Sequence, residues 1–384
     1  MNPLFANLPT TIFETMSGLS RELEAVNLGQ GFPDFGWPED VLDKAADAVR
    51  HGWNQYPSMS GLPELREAVA VHYARFQRLD LKPEEVTVTS GATEALAAAI
   101  LGLVTPGDEV VLFEPAYDAY LPLIRQAGGI AKAVKLTPPD WKITEKALAE
   151  AFGPATRLVI FNNPLNPTGT VFSLDQLALI ADACVRNDAV AICDEVWEHL
   201  VFDGHAQIPL MTLPGMRERT VKIGSAGKIF SLTGWKVGWT CAAPRLTAAI
   251  ARAHQFLTFT TAPSLQTAVA YGLGKDDAYF TAMREGFARS RARMTDGLGA
   301  AGYALLPSDG TYFVSVDLNG SGIALDDMTF CHRAVREAGV AAIPVSSFYA
   351  SDPVTNVVRL CFAKSDATVD KGLERLAKAR LMLG

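Results

Sequence analysis

Ile223-Gly-Ser-Ala-Gly-Lys-Ile-Phe-Ser-Leu-Thr-Gly-Trp-Lys-Val-Gly-Trp239 is the stretch that decides how this chain is read. The preceding run, Thr220–Ile223, is β-branched and apolar, as a strand should be, and it ends near Gly224. A glycine-rich turn follows, with Lys228 just beyond it. Lys236 comes later in the same segment, between Trp235 and a second strand at Val237–Cys241. Small residues let the backbone approach a ligand closely. Two lysines and Ser225 in a tight, otherwise apolar segment can serve an aldehyde and a phosphate. A lysine near a second cation loses its proton more readily, and the neutral amine is the nucleophile. Taken alone, the segment also reads as a surface turn carrying two solvated lysines.

Outward from this stretch, short β-branched or apolar runs recur at Val86–Thr89, Glu109–Phe113, Arg157–Phe161 and Val190–Cys193. Helical stretches lie between most of them. Thr93–Val104 is rich in Ala and Leu, and Leu174–Arg186 carries an apolar stripe near the helical period. This alternation predicts an α/β fold with a mostly parallel sheet covered on both faces. After about residue 275 the pattern changes. A long charged helix at Asp276–Ala301 precedes a strand at Tyr312–Val316, a helix around Asp326–Ala338 and a short strand at Val340–Ile343. A strand at Val357–Phe362 and a helix at Asp366–Leu383 end the chain. These predict a smaller α+β domain. The first 40 or so residues are dense in Gly and Pro (Gly29, Gly31, Pro33, Gly36, Pro38), and are expected to be extended and to pack across both parts. The expected division is a large domain over 41–274 and a small domain built from 1–40 and 275–384.

With 384 residues, 49% of them hydrophobic, the chain can bury a large core. Its net charge of -8 and lack of any basic run argue against nucleic-acid binding. No stretch of 18 apolar residues predicts a membrane span, and the start, MNPLFANLPTTIF, has no secretory pattern. Five cysteines, an odd number with no Cys-x-x-Cys pair, sit mostly in apolar runs. They read as buried small hydrophobes in a reducing, cytoplasmic setting. His51, His72, His199, His205, His254 and His332 show no metal-ligand spacing, so no catalytic metal is expected. Gly29-x-Gly31 follows no clear strand and opens no helix, so it is not a dinucleotide fingerprint.

The pattern Ser-x-x-Lys-x-Phe-Ser-x-x-Gly-x-Lys-x-Gly over 225–238 is similar to the cofactor-lysine motif of class I/II aminotransferases. Asn27-Leu-Gly-Gln-Gly-Phe-Pro-Asp-Phe35 and Ile343-Pro-Val-Ser-Ser-Phe-Tyr349 resemble one branch in particular. It is the kynurenine aminotransferase/glutamine transaminase K branch, which includes methionine aminotransferases. The resemblance runs from about residue 25 to the C-terminus, with motifs in family order. It implies a pyridoxal 5'-phosphate (PLP)-dependent transferase of the aspartate-aminotransferase-like fold type I, with Lys228 holding the cofactor.

The same resemblance gives roles to other residues. Asp194, after the strand Val190–Cys193, would pair with the protonated pyridine nitrogen; the alternative is a helix cap. Asn166, in Asn162-Asn-Pro-Leu-Asn-Pro-Thr-Gly169, would bond the phenolic oxygen, unless the loop is merely polar. Gly91, Ala92 and Thr93 would cradle the phosphate at a helix start, with Ser225 and Lys236 opposite. Many members of the wider class have Arg at the place of Lys236, which supplies charge without a bidentate fork. Tyr117 would stack on the ring, or pack in the core. Arg359, alone in an apolar strand, would take the substrate α-carboxylate, with the Gly31 N–H beside it; a structural salt bridge is the alternative. Tyr56 would reach a neighbouring subunit's phosphate in a homodimer. Phe13 and Phe259 fall where the branch surrounds the substrate side chain, although core packing explains them as well. Glu195 is read as structural. Trp197 departs from the pattern: many relatives carry a tyrosine there whose hydroxyl bonds the phenolic oxygen.

The implied reaction moves the amino group of an aromatic or uncharged amino acid, of the methionine, glutamine, phenylalanine or kynurenine type, to a 2-oxo acid. Lys228 would serve as anchor and as general acid and base. Two rival activities share the cofactor. A cysteine-S-conjugate β-lyase would release pyruvate and ammonia with no added 2-oxo acid. An N-succinyl-diaminopimelate aminotransferase is the other, since relatives of this branch have that role. A ligand-sensing domain of a regulator is the non-enzyme alternative.

Overall fold

The computed structural model describes residues 1–384. Its main sheet has seven strands, in the spatial order Val86–Thr89, Gly238–Ala242, Thr220–Ser225, Val190–Asp194, Thr156–Asn162, Glu109–Glu114 and Ile130–Lys135. Only Gly238–Ala242 runs antiparallel to its neighbours. Alternate residues of each strand face opposite ways. Val110, Leu112, Leu158, Ile160, Ile192 and Val221 enter one apolar cluster with helices Gly91–Leu103 and Pro244–Leu257. Val111, Phe113, Val159, Phe161, Ala191 and Cys193 enter another with helix Leu174–Arg186. Both faces are therefore covered. That is why these strands read as continuous apolar runs rather than alternating ones.

Five of the six expected sheet strands overlap the observed ones to within a residue at each end, and the sixth, Thr220–Ile223, runs on to Ser225. The strand that sequence missed, Ile130–Lys135, lies at the sheet edge with only Val134 of its six residues buried and two lysines among the rest. An edge strand buries too little to carry an apolar signature. Helix Leu174–Arg186 starts at Ser173, which forms a capping box with Gln176. The helix expected over Asp276–Ala301 spans Asp277–Ala300, with Asp276 accepting from the Tyr279 N–H as its cap.

Beyond residue 300 a four-stranded antiparallel sheet forms, in the order Ile343–Pro344, Val357–Cys361, Phe313–Asp317 and Ala304–Leu305. The strand expected at Val340–Ile343 is two: Val340–Ala341 pairs in parallel with Val26–Asn27, and Ile343–Pro344 joins the four-stranded sheet. The expected helix Asp326–Ala338 is α-helical over Asp327–Arg333 and then widens into a π turn at Ala334–Ala338.

The N-terminal 40 residues are not uniformly extended. Pro3–Ala6 and Ile12–Glu22 are helical, and the Thr11 side chain caps the second by accepting from the Glu14 N–H. The dense Gly and Pro begin only at Gly29, and the longest irregular stretch, 28–38, lies there. There the Leu28 carbonyl accepts from the Cys361 N–H at 2.7 Å, fixing residues 28–31 beside strand Val357–Cys361. All five cysteines are buried and free. No helix is long and apolar enough to cross a membrane.

Candidate active site

Strand Thr220–Ser225 runs directly into one helical turn, Ala226–Ile229, so Lys228 emerges at the end of a central strand. A Cβ on Gly227 would lie 2.9 Å from the Thr233 Cα, which is why glycine stands where the chain doubles back. The return places Lys236 in the left-handed region at φ 52°. Gly91, Ala92, Thr93, Tyr117, Asn166, Asp194, Ser225, Lys228 and Lys236 then line one cavity of about 420 Å³. The strand ends bring these nine together, in the crevice where open α/β sheets bind ligands.

One end of the cavity suits an anion. Helix Gly91–Leu103 begins there, with free N–H groups and the positive end of its dipole. A Cβ on Gly91 would fall 3.3 Å from the Lys236 Nζ, so that ammonium lies against the helix start. A Cβ on Gly238 would come within 2.7 Å of the Gly91 carbonyl carbon and 2.8 Å of the Ala92 nitrogen. The absence of a side chain at Gly238 therefore lets the helix start sit where it does.

The other residues supply an amine and an unmet acceptor. The Tyr120 hydroxyl donates to Asp194 Oδ2 at 2.7 Å, while Asp194 Oδ1 is buried with no partner. Burial raises the Asp194 carboxyl above its ordinary range, and the Tyr120 bond and the charge of Lys228 oppose that rise. Lys228 Nζ donates to the Tyr312 hydroxyl at 3.1 Å, and that hydroxyl donates to the Gly31 carbonyl. Burial lowers Lys228 to about 8; Asp194 opposes this, while Arg359 and Lys236 add to it. The amine therefore gives up its proton far more readily than an ordinary lysine, and the neutral form is the nucleophile. Trp197 packs edge-on to Tyr312, with centroids 4.4 Å apart, and the Lys228 Nζ lies 4.7 Å from its ring. It forms an aromatic wall beside the amine.

Arg359 sits in strand Val357–Cys361, 1% exposed. It has no carboxylate partner. Nη1 donates to Asn166 Oδ1 at 2.8 Å and Nη2 to the Gly29 carbonyl at 2.7 Å, while Nε is unpartnered. The guanidinium stacks 3.9 Å above the Phe313 ring, with Phe13 and Phe348 centroids at 5.3 and 5.5 Å. Burial lowers it to about 10, so it stays charged at neutral pH. A buried cation held only by neutral acceptors is completed by an anionic ligand. Asn166 links the arginine to the cavity, and its N–H donates to Asn162 Oδ1 at 2.7 Å. Asn162 in turn donates to the Asp194 carbonyl at 2.7 Å.

Gly31 lies against Phe313, where a Cβ would approach the ring to 2.7 Å. Phe13 borders Arg359 and packs edge-on to Phe348 at 5.7 Å. Tyr56 and Phe259 lie outside the cavity lining. They meet edge-on at 5.6 Å and are 80% and 39% exposed. Glu195 is structural as expected, accepting from the fully buried Lys222 at 2.6 Å. Sequence reasoning gave no role to Tyr120 or Tyr312. Each sits where an apolar element begins and looks like core, yet each places its hydroxyl on a polar group of the site.

A cofactor-type crevice with a lysine at a strand end, a carboxylate on the neighbouring strand and a buried arginine defines a lysine-dependent group-transfer site. A family model described as aminotransferase class I and II matches residues 24–376, and this chain belongs to that family. The solved N-succinyldiaminopimelate aminotransferase of Mycobacterium tuberculosis superposes with a TM-score of 0.95 at 43% identity, covering 99% of this chain and 100% of that one. The methionine aminotransferase of Escherichia coli is 40% identical over 381 residues, 98% of each chain. The kynurenine--oxoglutarate transaminase 3 of Mus musculus is 35% identical over 397 residues, 96% of this chain and 87% of that protein. The fold is the aspartate-aminotransferase-like fold type I, and the protein is an enzyme of the transaminase type.

Proposed function

We propose that this aminotransferase binds PLP in the cavity and uses Lys228 both to hold it and to move the substrate's Cα proton. The observation that carries this reading is the pairing of a buried amine with a lowered pKa, Lys228, with a buried unpartnered acceptor, Asp194 Oδ1, on one cavity. The donor set fits the cofactor. The N–H groups of Gly91, Ala92 and Thr93, the Ser225 hydroxyl and Lys236 suit its phosphate. Asp194 Oδ1 suits the pyridine N–H, Asn166 the phenolic oxygen, and Tyr117 the ring face. When bound, the cofactor supplies an electron sink for the pair left at the substrate Cα. Asp194 keeps the pyridine nitrogen protonated. Arg359 and the Gly31 backbone orient the α-carboxylate, and Lys228 takes the Cα proton and returns it elsewhere on the same framework. A 2-oxo acid then takes the amine by the reverse steps. Purified protein should be yellow, and borohydride should fix the cofactor on the peptide containing Lys228. A colourless protein that takes up no PLP overturns the reading.

The substrate is an α-amino acid with an aromatic or uncharged side chain. Arg359 and the rings of Phe13 and Phe348 together support this: one fixes a carboxylate, the others wall it with apolar surface. Arg359→Ala should raise KM about 100-fold for every amino acid alike, the loss of about 3 kcal/mol of charge-assisted hydrogen bonding. Steady-state kinetics on a panel of donors checks it. A second reading has its own support. A groove running past Tyr117 and Phe348 is also lined by Arg125, an exposed cation placed to meet a distal carboxylate such as an N-succinyl group carries. Arg125→Ala should then raise KM for N-succinyl-diaminopimelate about tenfold, roughly one exposed charge contact, and leave methionine unaffected. Equal KM values in variant and wild type would remove this second reading.

Exposed Tyr56 and Phe259 support a homodimer in which Tyr56 serves the neighbouring phosphate. The separate seven- and four-stranded sheets, and the pairing of Val26–Asn27 with Val340–Ala341, support a large domain over 41–274 and a small one from 1–40 and 275–384. Five unpaired cysteines support a cytoplasmic location.

A further inference from the structure

The geometry points to a second site: His72, His199 and Glu198 bind one divalent transition-metal ion of the zinc class, outside the reaction cavity. Helix Pro63–Gln77 contributes His72, and the turn after Asp194 contributes the other two. The two imidazole Nε2 atoms are 2.8 Å apart, and the three ligand atoms all lie within 4.8 Å of one another. Glu198 Oε1 accepts from the Tyr73 hydroxyl at 3.0 Å, and Glu198 Oε2 is buried without a partner. The Tyr73 hydroxyl accepts in turn from Trp239 Nε1 at 2.9 Å, so the carboxylate is held by a fixed outer layer. His199 stacks on Phe280 with centroids 4.7 Å apart, and His72 packs 4.8 Å from Phe76. Both rings are therefore held in place by aromatic neighbours.

Two imidazoles and one carboxylate form a zinc ligand set that leaves a fourth position for water. Zinc–nitrogen bonds near 2.0–2.1 Å in a tetrahedron put ligating nitrogens about 3.3 Å apart. The rings need to part by about 0.5 Å and to turn from their head-on contact so that both lone pairs converge on the ion. Burial keeps both imidazoles neutral, the form that ligates. Without an ion, one ring must donate to the other and Glu198 Oε2 goes unmet; an ion satisfies all three atoms at once. A separate cavity of about 550 Å³ reaches all three residues and provides the entry path. Of the cations that face the histidines, Arg75 is paired with Asp277, and Glu285 lies with Arg284 on the cavity wall. The nearby Lys222 is already neutralised by Glu195. Because Glu198 and His199 directly follow Trp197, the ion ties the wall beside Lys228 to helix Pro63–Gln77. The inference does not rest on the reading of the PLP site.

The test uses the holoenzyme, stripped with a chelator and titrated with cobalt(II) or zinc(II). One equivalent of cobalt should bind with the visible band of a tetrahedral site, and zinc should displace it and raise Tm. His72→Gln and Glu198→Gln should each weaken binding by more than about 100-fold, beyond the loss expected of an outer-layer change, and remove the Tm rise. Wild-type crystals grown with zinc should show an anomalous peak between the two Nε2 atoms, a result that needs no variant to fold. No cobalt band, a peak elsewhere, or equal affinity in the variants overturns the proposal.

Discussion

Lys228→Ala is expected to lower kcat by at least about 10⁴-fold, the upper range for a positioned acid–base group, and at the same time to stabilise the apoprotein near pH 7. The first effect follows from position. No other amine lies in the cavity except Lys236, which rests against the helix start at the anion end. A small external amine should restore part of the rate, since the missing group is a proton carrier. The second effect follows from the lowered pKa. In the unfolded chain Lys228 keeps its proton to about 10.4; in the folded apoprotein it releases it near 8, chiefly through burial. The unfolded state thus binds more protons between those values, and stability rises with pH through that window. Below pH 8 the full cost of the buried ammonium is present. A shift of this size is worth at most about 3 kcal/mol, less what water in the cavity screens. The bond to Tyr312 and the Trp197 ring face return part of it. Denaturant titrations of both apoproteins at pH 7 and 10 decide the matter: the wild type should gain stability between the two, and the variant should lack that gain. Parallel pH dependences would mean that Lys228 is not the strained group.

Much of this was legible in the chain. Strands such as Val86–Thr89 and Val190–Asp194 carry apolar runs because both faces of the sheet are covered, and a run is a local signal. Lys228, Asp194 and Asn166 were legible because each stands next to a strand end, where family order and chemistry agree. What sequence missed depends on contacts between distant segments. Tyr312 reaches Lys228 across 84 residues, and Tyr120 reaches Asp194 across 74. A tyrosine beside an apolar strand looks the same whether its hydroxyl finds solvent or a buried amine. The histidines show the same limit: His72 and His199 have no ligand spacing, yet the fold joins them across 127 residues. Helix Ile12–Glu22 was obscured by the Gly and Pro that follow it, although Thr11 and Glu14 carry its start.

Asp194→Asn is expected to lower kcat about 10³-fold, the scale of removing one preorganised electrostatic partner, with little change in fold. Asparagine is isosteric and can still accept from Tyr120, so the hydrogen bond at 2.7 Å survives in altered form. What it lacks is the negative charge that holds a proton on the pyridine nitrogen. Burial alone works against that charge, since it raises the carboxyl above its usual range. The Tyr120 hydroxyl and the charge of Lys228 oppose that rise, and the protonated ring nitrogen of a bound cofactor would add a further partner. Tyr120→Phe should therefore reproduce a fraction of the Asn effect by letting the carboxyl take up a proton. Two explanations of a slow Asp194→Asn enzyme are separable. A cofactor methylated at the pyridine nitrogen carries a permanent positive charge and needs no carboxylate to keep it. If Asp194 acts through that charge, reconstitution with the methylated cofactor should return most of the lost rate to the variant. If the methylated cofactor leaves the variant as slow as before, Asp194 acts by positioning alone, and its proposed partnership with the ring nitrogen fails.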